Sequence, residues 1–433
     1  MNTRNYTDDE GNLSLCDTSE SMDARNAAFY ARFPYPWPPQ TFSFPSDPEM
    51  GCCLLNQNIG NYRHDRFFPG ARIWVAGCGT NQAIYTALRY PGCHVVGSDV
   101  SEASLEICAE TSRQLGISNL LLKKESINEI EYIAEFDYIL CTGVVHHNAD
   151  PKESLEKLHR ALRRSGVLEL MVYNRFHRQA NVAVQKAIRL LCQRSAVGWS
   201  CEEELRIART LLAAFKEESS VQRYLLTLQN VTEAELVDCL IQPIEHGFTM
   251  ETLTQLAASA GLELLTPAIC ELDKANKSYD WTVTFSTQAL QKASDKLDDI
   301  SRWMVANLLL AERSPMLWCY LQRGDSEKPR QTESDVNACF LRTKFKKIAC
   351  TQGYFRKGTD GRYALAKSAI PFPTGQPPDE ARRCYSVHSE QLTMKEVFDL
   401  ASVRCDFSTV QRVRRALTTT AFPFLRALSD GER

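Results

Sequence analysis

Between residues 71 and 173 short apolar runs alternate with helical patterning, and nothing else in the chain constrains the fold as tightly. The first run, Arg72-Ile73-Trp74-Val75-Ala76, ends in a glycine turn. Cys93-His94-Val95-Val96-Gly97-Ser98 reads as a second strand and Leu120-Leu121-Leu122 as a third. Phe136-Asp137-Tyr138-Ile139-Leu140-Cys141 is a fourth, and Val167-Leu168-Glu169-Leu170-Met171-Val172-Tyr173 a fifth. Between the last two, Asp150 is placed to cap a helix, with Pro151 at its first position and Glu153 completing a capping box. Leu155, Leu158 and Leu162 then repeat at helical spacing, and Gly166 comes after the end. Such strand–helix–strand alternation predicts an α/β protein with a doubly wound parallel sheet.

The strand pattern stops after Tyr173. Helices are expected over 180–192, 202–216 and 232–241, the last opened by a Thr232–Glu235 box, so 175–248 reads as a helical insertion. A helix over 249–260, stopped by Gly261, and strands over 262–265 and 279–286 would complete the sheet, giving a domain of 71–287. Residues 288–433 read as an accessory α+β carboxyl-terminal domain, with helices at 290–312, 336–349, 392–403 and 407–418. Its hairpin turns at Gly358-Thr359-Asp360-Gly361, and Tyr354, Phe355 and Tyr363 are expected to be exposed there for a subunit or substrate contact. The two short helices of 392–418 are expected to pack against a partner domain, with Arg412, Arg414 and Arg415 as a solvated face and a helix-turn-helix reader of DNA the disfavoured alternative. Residues 1–70 open with a loose polar stretch to about residue 25. The aromatic and proline cluster from Phe29 to Pro39 comes next, too rich in Pro-x-Pro for a helix, and reads as an extended strap or a lid.

The 433 residues carry 50 Lys and Arg against 53 Asp and Glu, which disfavours a protein that grips phosphates by bulk charge. No run of 18 apolar residues suggests a membrane span, and the first ten residues lack a secretory apolar stretch. The 16 cysteines are scattered without a Cys-x-x-Cys, so reduced thiols in a cytoplasmic protein are expected, with no metal site.

The chemistry concentrates at Val75-Ala76-Gly77-Cys78-Gly79-Thr80-Asn81-Gln82, between the first strand and a helix. Glycines there permit a tight turn and close approach of a ligand to a helix amino terminus. Asp99, 20 positions after Gly79, falls at the end of the second strand, where a carboxylate can accept ribose hydroxyls. A dinucleotide site wants a small residue at position 82, which is Gln82, while Asn81 tolerates positive φ. A nucleoside without pyrophosphate fits better, and S-adenosylmethionine is the expected cofactor.

Residues 71–175 resemble class I S-adenosylmethionine-dependent methyltransferases, especially a bacterial group whose first loop reads Val-Ala-Gly-Cys-Gly-Thr. Gly143-Val144-Val145-His146-His147-Asn148-Ala149-Asp150-Pro151 resembles that group's Gly-Val-Leu-His-His-Leu-x-Asp-Pro, and Tyr30-x-x-x-Pro34-Tyr35-Pro36 its upstream motif. The resemblance implies a Rossmann-like methyltransferase sheet in which Gly77 and Gly79 lie against the methionine part and Asp99 binds the ribose. It also implies that Val100 packs on the adenine, with Ala76, Asn81, Ser126, Ile127 and Gly143 completing the cofactor site. Val75 replaces the family's usual acid before the first glycine, and Ser126 its usual adenine-binding acid, with Glu125 beside it.

His146 and His147 come after the fourth strand on the carboxyl edge of the sheet, where neutral imidazole is a candidate base. Tyr35 joins them as a catalytic candidate, and Tyr173, His177 and His246 are weaker pocket candidates. Because a sulfonium methyl is already activated, positioning can supply most of the catalysis. The expected acceptor is a small molecule, such as a secondary metabolite or modified amino acid, chosen beneath the strap and the helical insertion. A protein side chain is the runner-up, nucleic acid is disfavoured, and a homodimer is left open. The rival readings are a non-catalytic cofactor-binding or interaction protein on the same scaffold and a nicotinamide dehydrogenase, which Gln82 disfavours. Calorimetric titration discriminates the ligands: S-adenosylmethionine and S-adenosylhomocysteine should bind in the micromolar range and NAD should not. Binding of NAD alone would overturn the reading of Gln82.

Overall fold

Every residue of the first strand after Arg72 is buried, because the sheet carries side chains into a core on each face. The computed structural model describes residues 21–192, 201–216, 218–269, 274 and 281–428. Seven strands form the main sheet: β1 (Arg72–Ala76), β2 (His94–Asp99), β3 (Leu120–Lys124), β4 (Phe136–Thr142), β5 (Leu162–Tyr173), β6 (Leu262–Pro267) and β7 (Met316–Arg323). Their spatial order is β3-β2-β1-β4-β5-β7-β6. β1 to β5 run parallel, and β7 enters antiparallel between β5 and β6. Trp74 and Ala76 enter one core, with helices α3 (Pro151–Ala161), α4 (Met250–Ser259) and α5 (Asp299–Leu309) supplying Leu158, Leu253 and Trp303. Ile73 and Val75 enter the other, against α1 (Gln82–Arg89) and α2 (Glu102–Leu115).

Several expectations change in detail. Asp150 caps α3 by accepting from the backbone N–H of Lys152 and Glu153, at 2.8 and 3.2 Å, without a reciprocal Glu153 bond. α3 ends at Ala161, before Gly166; Leu162 already pairs with Phe136, and the next four residues form an irregularity before Val167 meets Tyr138. Residues 281–286 are not a strand, and 279–280 lie outside the described residues. The completing strand is β7, from the stretch expected to be accessory. The polar start also conceals a helix, Met22–Arg32, capped by Ser21 and stopped just before Pro34, so the extended strap begins only at Phe33.

The chain divides into two compact units, 1–33 with 180–243 and 34–179 with 244–433. In the first, the helices Met22–Arg32, Cys201–Ala214, Ser220–Thr227 and Glu233–Leu240 bury Phe29, Leu205, Leu225 and Leu236 together. The expected Thr232–Glu235 capping box is present.

In the second unit, the strap leads into a strand, Thr41–Pro45, that pairs with the Cys350–Lys357 arm of the hairpin. Tyr363 is consequently buried, its ring 5.1 Å from Phe42 and its hydroxyl donating to the Pro39 carbonyl at 2.5 Å. It is not the exposed contact expected. Arg414 and Arg415 are not a solvated face either. Both are about 2% exposed, and they converge on the buried Glu333 at the head of helix Glu333–Arg342. Arg415 also donates to the Pro267 carbonyl at 2.8 Å, and the Thr266 hydroxyl donates to Glu333 at 2.7 Å. The helix Phe407–Thr418 is thereby tied to the end of β6.

Burial alone would raise the Glu333 carboxyl, but the two guanidinium groups and its hydrogen bonds outweigh this and hold it at about 2, below its ordinary 4.5. A depressed carboxyl stabilises the fold above its unfolded value, and the contribution is lost as pH falls through the folded one. About 3 kcal/mol of stability should therefore disappear between pH 4.5 and 2. Glu333→Gln strands two buried cations and should cost about 3–5 kcal/mol in denaturant unfolding at pH 7, with a flatter acid limb. Wild-type stability in this variant would show that the cluster is energetically neutral.

Candidate functional site

The turn leaving β1 is built from backbone that only glycine accommodates. Gly77 has φ +69°, and an added Cβ would lie 2.2 Å from Val144 Cγ2. Gly79 has φ +53°, and its Cβ would lie 2.6 Å from the Tyr35 carbonyl oxygen. The Gly79 N–H donates to Asp99 Oδ2 and the Ser101 N–H to Oδ1, both at 2.8 Å. The carboxylate at the end of β2 is thus oriented by backbone, and each oxygen can accept a further bond. Desolvation raises its pKa above the ordinary carboxylate range, against the pull of the Ser101, Gly79 and Val100 N–H groups.

Asn81 departs from its expected conformation. Its φ is −150°, and its side chain donates to the Trp37 carbonyl at 3.2 Å, while the Thr80 hydroxyl donates to the Pro36 carbonyl. Both side chains hold the strap over the turn. Tyr35 and Trp37 meet edge to face at 6.0 Å between ring centroids and stay 38% and 47% exposed. The amide of Gln82 donates to the Thr142 hydroxyl, joining the start of α1 to the end of β4.

The remaining residues line the same carboxyl edge. Ala76 and Val75 are fully buried, and Val100 is half-buried after Asp99. Ser126 Oγ accepts from the Asn128 N–H at 3.1 Å, Ile127 is buried in the core, and Glu125 accepts from the Tyr132 hydroxyl at 2.5 Å. Gly143 has φ +81°, and an added Cβ would meet Met171 Cε at an ordinary 3.8 Å.

Beyond Val144 the chain makes a short 3-10 turn, Val145–His147, and both histidines are buried. The His146 ring contacts those of His147 and Tyr173, at centroid separations of 4.1 and 4.0 Å, and these two lie 5.5 Å from each other. Neither His146 ring nitrogen has a hydrogen-bond partner among the described residues. Burial, and then the charges of His147, Arg178 and His246, push its pKa well below 6.5, so the ring is neutral. His147 Nδ1 lies 2.8 Å from the Ile244 carbonyl, which assigns the proton to that nitrogen. His246 N–H donates to the His146 carbonyl at 2.9 Å, and its Nε2 lies 3.1 Å from the Asn148 carbonyl. Tyr173 and His246 therefore join the histidine pair, whereas His177 is exposed. Arg178 and Glu245, 67 positions apart, complete the cluster and carry no signal in the sequence.

Residues 69–219 match the family model described as a methyltransferase domain. The chain carries a class I S-adenosylmethionine-dependent methyltransferase domain. It is 28% identical over 289 residues to the Synechococcus sp. protein syc1184_c, covering 65% of this chain and 67% of that relative. It is also 34% identical to Rickettsia prowazekii RP789 over 77 residues, 17% of this chain and 14% of that one. In fold it is similar to PKMT2 from Rickettsia typhi, at TM-score 0.55 and 13% identity over 91% of this chain and 77% of that one. The same PKMT2 has also been solved in complex with AdoHcy.

The methyltransferase turn tolerates no side chain at Gly79, because the atom in the way is strap backbone. Gly79→Arg should weaken S-adenosylhomocysteine binding at least about tenfold in calorimetry, with the far-ultraviolet circular dichroism retained. Unchanged affinity would place the donor elsewhere.

Proposed function

We propose that this methyltransferase transfers the methyl group to an oxygen or nitrogen of a small-molecule acceptor, and that His146 takes the acceptor's proton. The observation that carries the reading is the buried His146 ring, whose two nitrogens have no partner among the described residues. Leaving such groups unsatisfied costs about 1–3 kcal/mol. A ligand atom that binds the ring recovers that cost.

The residues present fit the donor. Asp99, held by two backbone N–H groups, would accept the ribose hydroxyls; Gly77 and Gly79 would bring bare backbone to the methionine part. Val100, Ser126 and Ile127 would border the adenine, and Ala76, Asn81 and Gly143 the remaining edge. When bound, S-adenosylmethionine supplies a methyl group on a sulfonium, which needs alignment and no further activation. His146 is neutral near pH 7, so it can accept a proton from a hydroxyl or a neutral amine as its lone pair takes the methyl carbon. His147 is committed to the Ile244 carbonyl and holds the turn. Tyr35, exposed on the strap, serves better as a wall than as a proton carrier.

A protein side chain is the second reading, favoured by the exposed Tyr35–Trp37 pair. Such an aromatic edge suits a cationic or planar group presented by a larger molecule. Incubation with methyl-labelled S-adenosylmethionine separates the two readings: label should enter free hydroxy- or amino-compounds, and label confined to acid-precipitated protein would favour the second. His146→Ala should lower turnover about 10²- to 10⁴-fold while leaving S-adenosylhomocysteine affinity unchanged, and His147→Ala should cost less. Full activity of His146→Ala would remove the ring from the mechanism.

A further inference from the structure

The His146 ring belongs to an aromatic cluster that continues through Tyr173 to a buried ion pair. Tyr173, the last residue of β5, covers His146 at 4.0 Å between centroids. The Arg178 guanidinium lies over the Tyr173 ring, 4.1 Å from its centroid. Arg178 then forks onto Glu245, with Nε to Oε1 at 2.7 Å and Nη2 to Oε2 at 2.5 Å. The Arg178 side chain is 9% exposed and the Glu245 side chain 0%. A two-bond guanidinium–carboxylate fork fixes the guanidinium plane and so fixes the tyrosine ring beneath it.

Resting on the base role given to His146, we infer that Arg178 and Glu245 are positioning residues that hold the Tyr173 ring on His146 and keep a cation facing it, so that the base stays uncharged and oriented in acid. Neither residue need touch donor or acceptor. The charged and titratable groups that face His146 are His147 on its own turn, His246 from the segment after Ile244, Tyr173 at the end of β5, and Arg178 with Glu245 beyond that ring. The two imidazoles are held by backbone carbonyls, at Ile244 and Asn148. Arg178 is the permanent cation of the set. A cation beside a low-polarity imidazole disfavours the imidazolium. Glu245 binds both ends of the fork and fixes this cation in a buried site that water screens poorly, while its carboxylate offsets part of the cation's field. In the transfer step the acceptor's nitrogen or oxygen lone pair takes the methyl carbon, the sulfur keeps the electrons of the broken bond, and the acceptor's proton passes to a His146 ring nitrogen. A ring that was already protonated could not take it.

The test reads the ring directly and needs no acceptor. In the full chain labelled with ¹³C at histidine Cε1, the His146 resonance, assigned by its loss in His146→Gln, is followed from pH 4 to 9. In the wild type it should titrate in the acid part of this range or not at all. Arg178→Met combined with Glu245→Met removes the fork without stranding a charge, an exchange that folds usually tolerate. Its His146 midpoint should move to higher pH, and the resonance should broaden as the tyrosine ring is released. Arg178→Lys keeps the charge and should keep the acid midpoint. Should the double variant fail to bind S-adenosylhomocysteine as an indication of folding, Arg178→Gln alone carries the same expectation. An identical titration in wild type and in the charge-removing variant overturns the inference. Full turnover by His146→Ala would instead overturn the base role, leaving the titration result intact.

Discussion

The antiparallel strand Met316–Arg323 is hydrogen-bonded to β5 on one side and to β6 on the other, and the arrangement of the second compact unit depends on it. A parallel strand in its place would need a crossover connection on each side of the sheet. An antiparallel one lets the chain return from α5 after only a short 3-10 turn, Ala311–Arg313. Cys319 and Leu321 enter the same core as Trp303 and Leu253, so these parts of the segment from 250 to 323 pack as part of the sheet layer. The chain beyond Arg323 cannot then be a free appendage. Helix Glu333–Arg342 starts against Asp299 of α5, whose carboxylate also accepts from Arg330 and Arg302.

With the sheet closed in this way, the polar groups of the candidate site gather at the carboxyl ends of β1, β2, β4 and β5. Parallel strands leave their last carbonyls and the first N–H groups of the next helices on one edge, which is why ligands of such folds gather there. The turn after β1 uses that edge with almost no side chains. Backbone N–H groups orient Asp99, and the carbonyls of the strap are themselves acceptors for Thr80 and Asn81. The side chains with acid–base capacity sit further along the sheet, on the His146–His147 turn and on Tyr173.

Local patterning makes much of this legible. The five strands from 72 to 173 show in their own apolar runs, and the cap at Asp150, the Thr232–Glu235 box and the turn at Gly358–Gly361 depend on interactions within a few residues. Asn81 shows the limit of such reasoning, since its tolerance of positive φ is real but the pull of the Trp37 carbonyl decides its conformation. β7 stays hidden because Met316-Leu317-Trp318-Cys319-Tyr320-Leu321 does not reveal which neighbour it pairs with. Arg414 and Arg415 look solvated for the same reason: their partner Glu333 lies some eighty positions away. Tyr173 and His246 are visible as candidates, whereas Arg178 and Glu245 meet only in the folded chain.

Among the described residues, the buried arginine–glutamate sites at Glu333 and at Glu245 show how one interaction serves different ends. At Glu333 two cations share one carboxylate, while Arg414 Nε also finds the Asn337 amide oxygen and Arg415 the Pro267 carbonyl at the end of β6. The cluster holds elements together, and its carboxyl is driven far below the ordinary range. At Arg178 one cation meets one carboxylate, and the pair lies against an aromatic face in place of a sheet terminus. Such a pair contributes little net stability over apolar residues of similar volume, because desolvation offsets most of its attraction. Beside an imidazole with no hydrogen bond among the described residues, what we propose it contributes is the field it imposes. A neutral imidazole in a dry site is a weak base for bulk protons and an effective one for a proton released beside it as the acceptor's lone pair is consumed. Under the base role proposed for His146, that difference, set by burial and by the neighbouring His147 and Arg178, is what the protein would add to a methyl transfer beyond alignment.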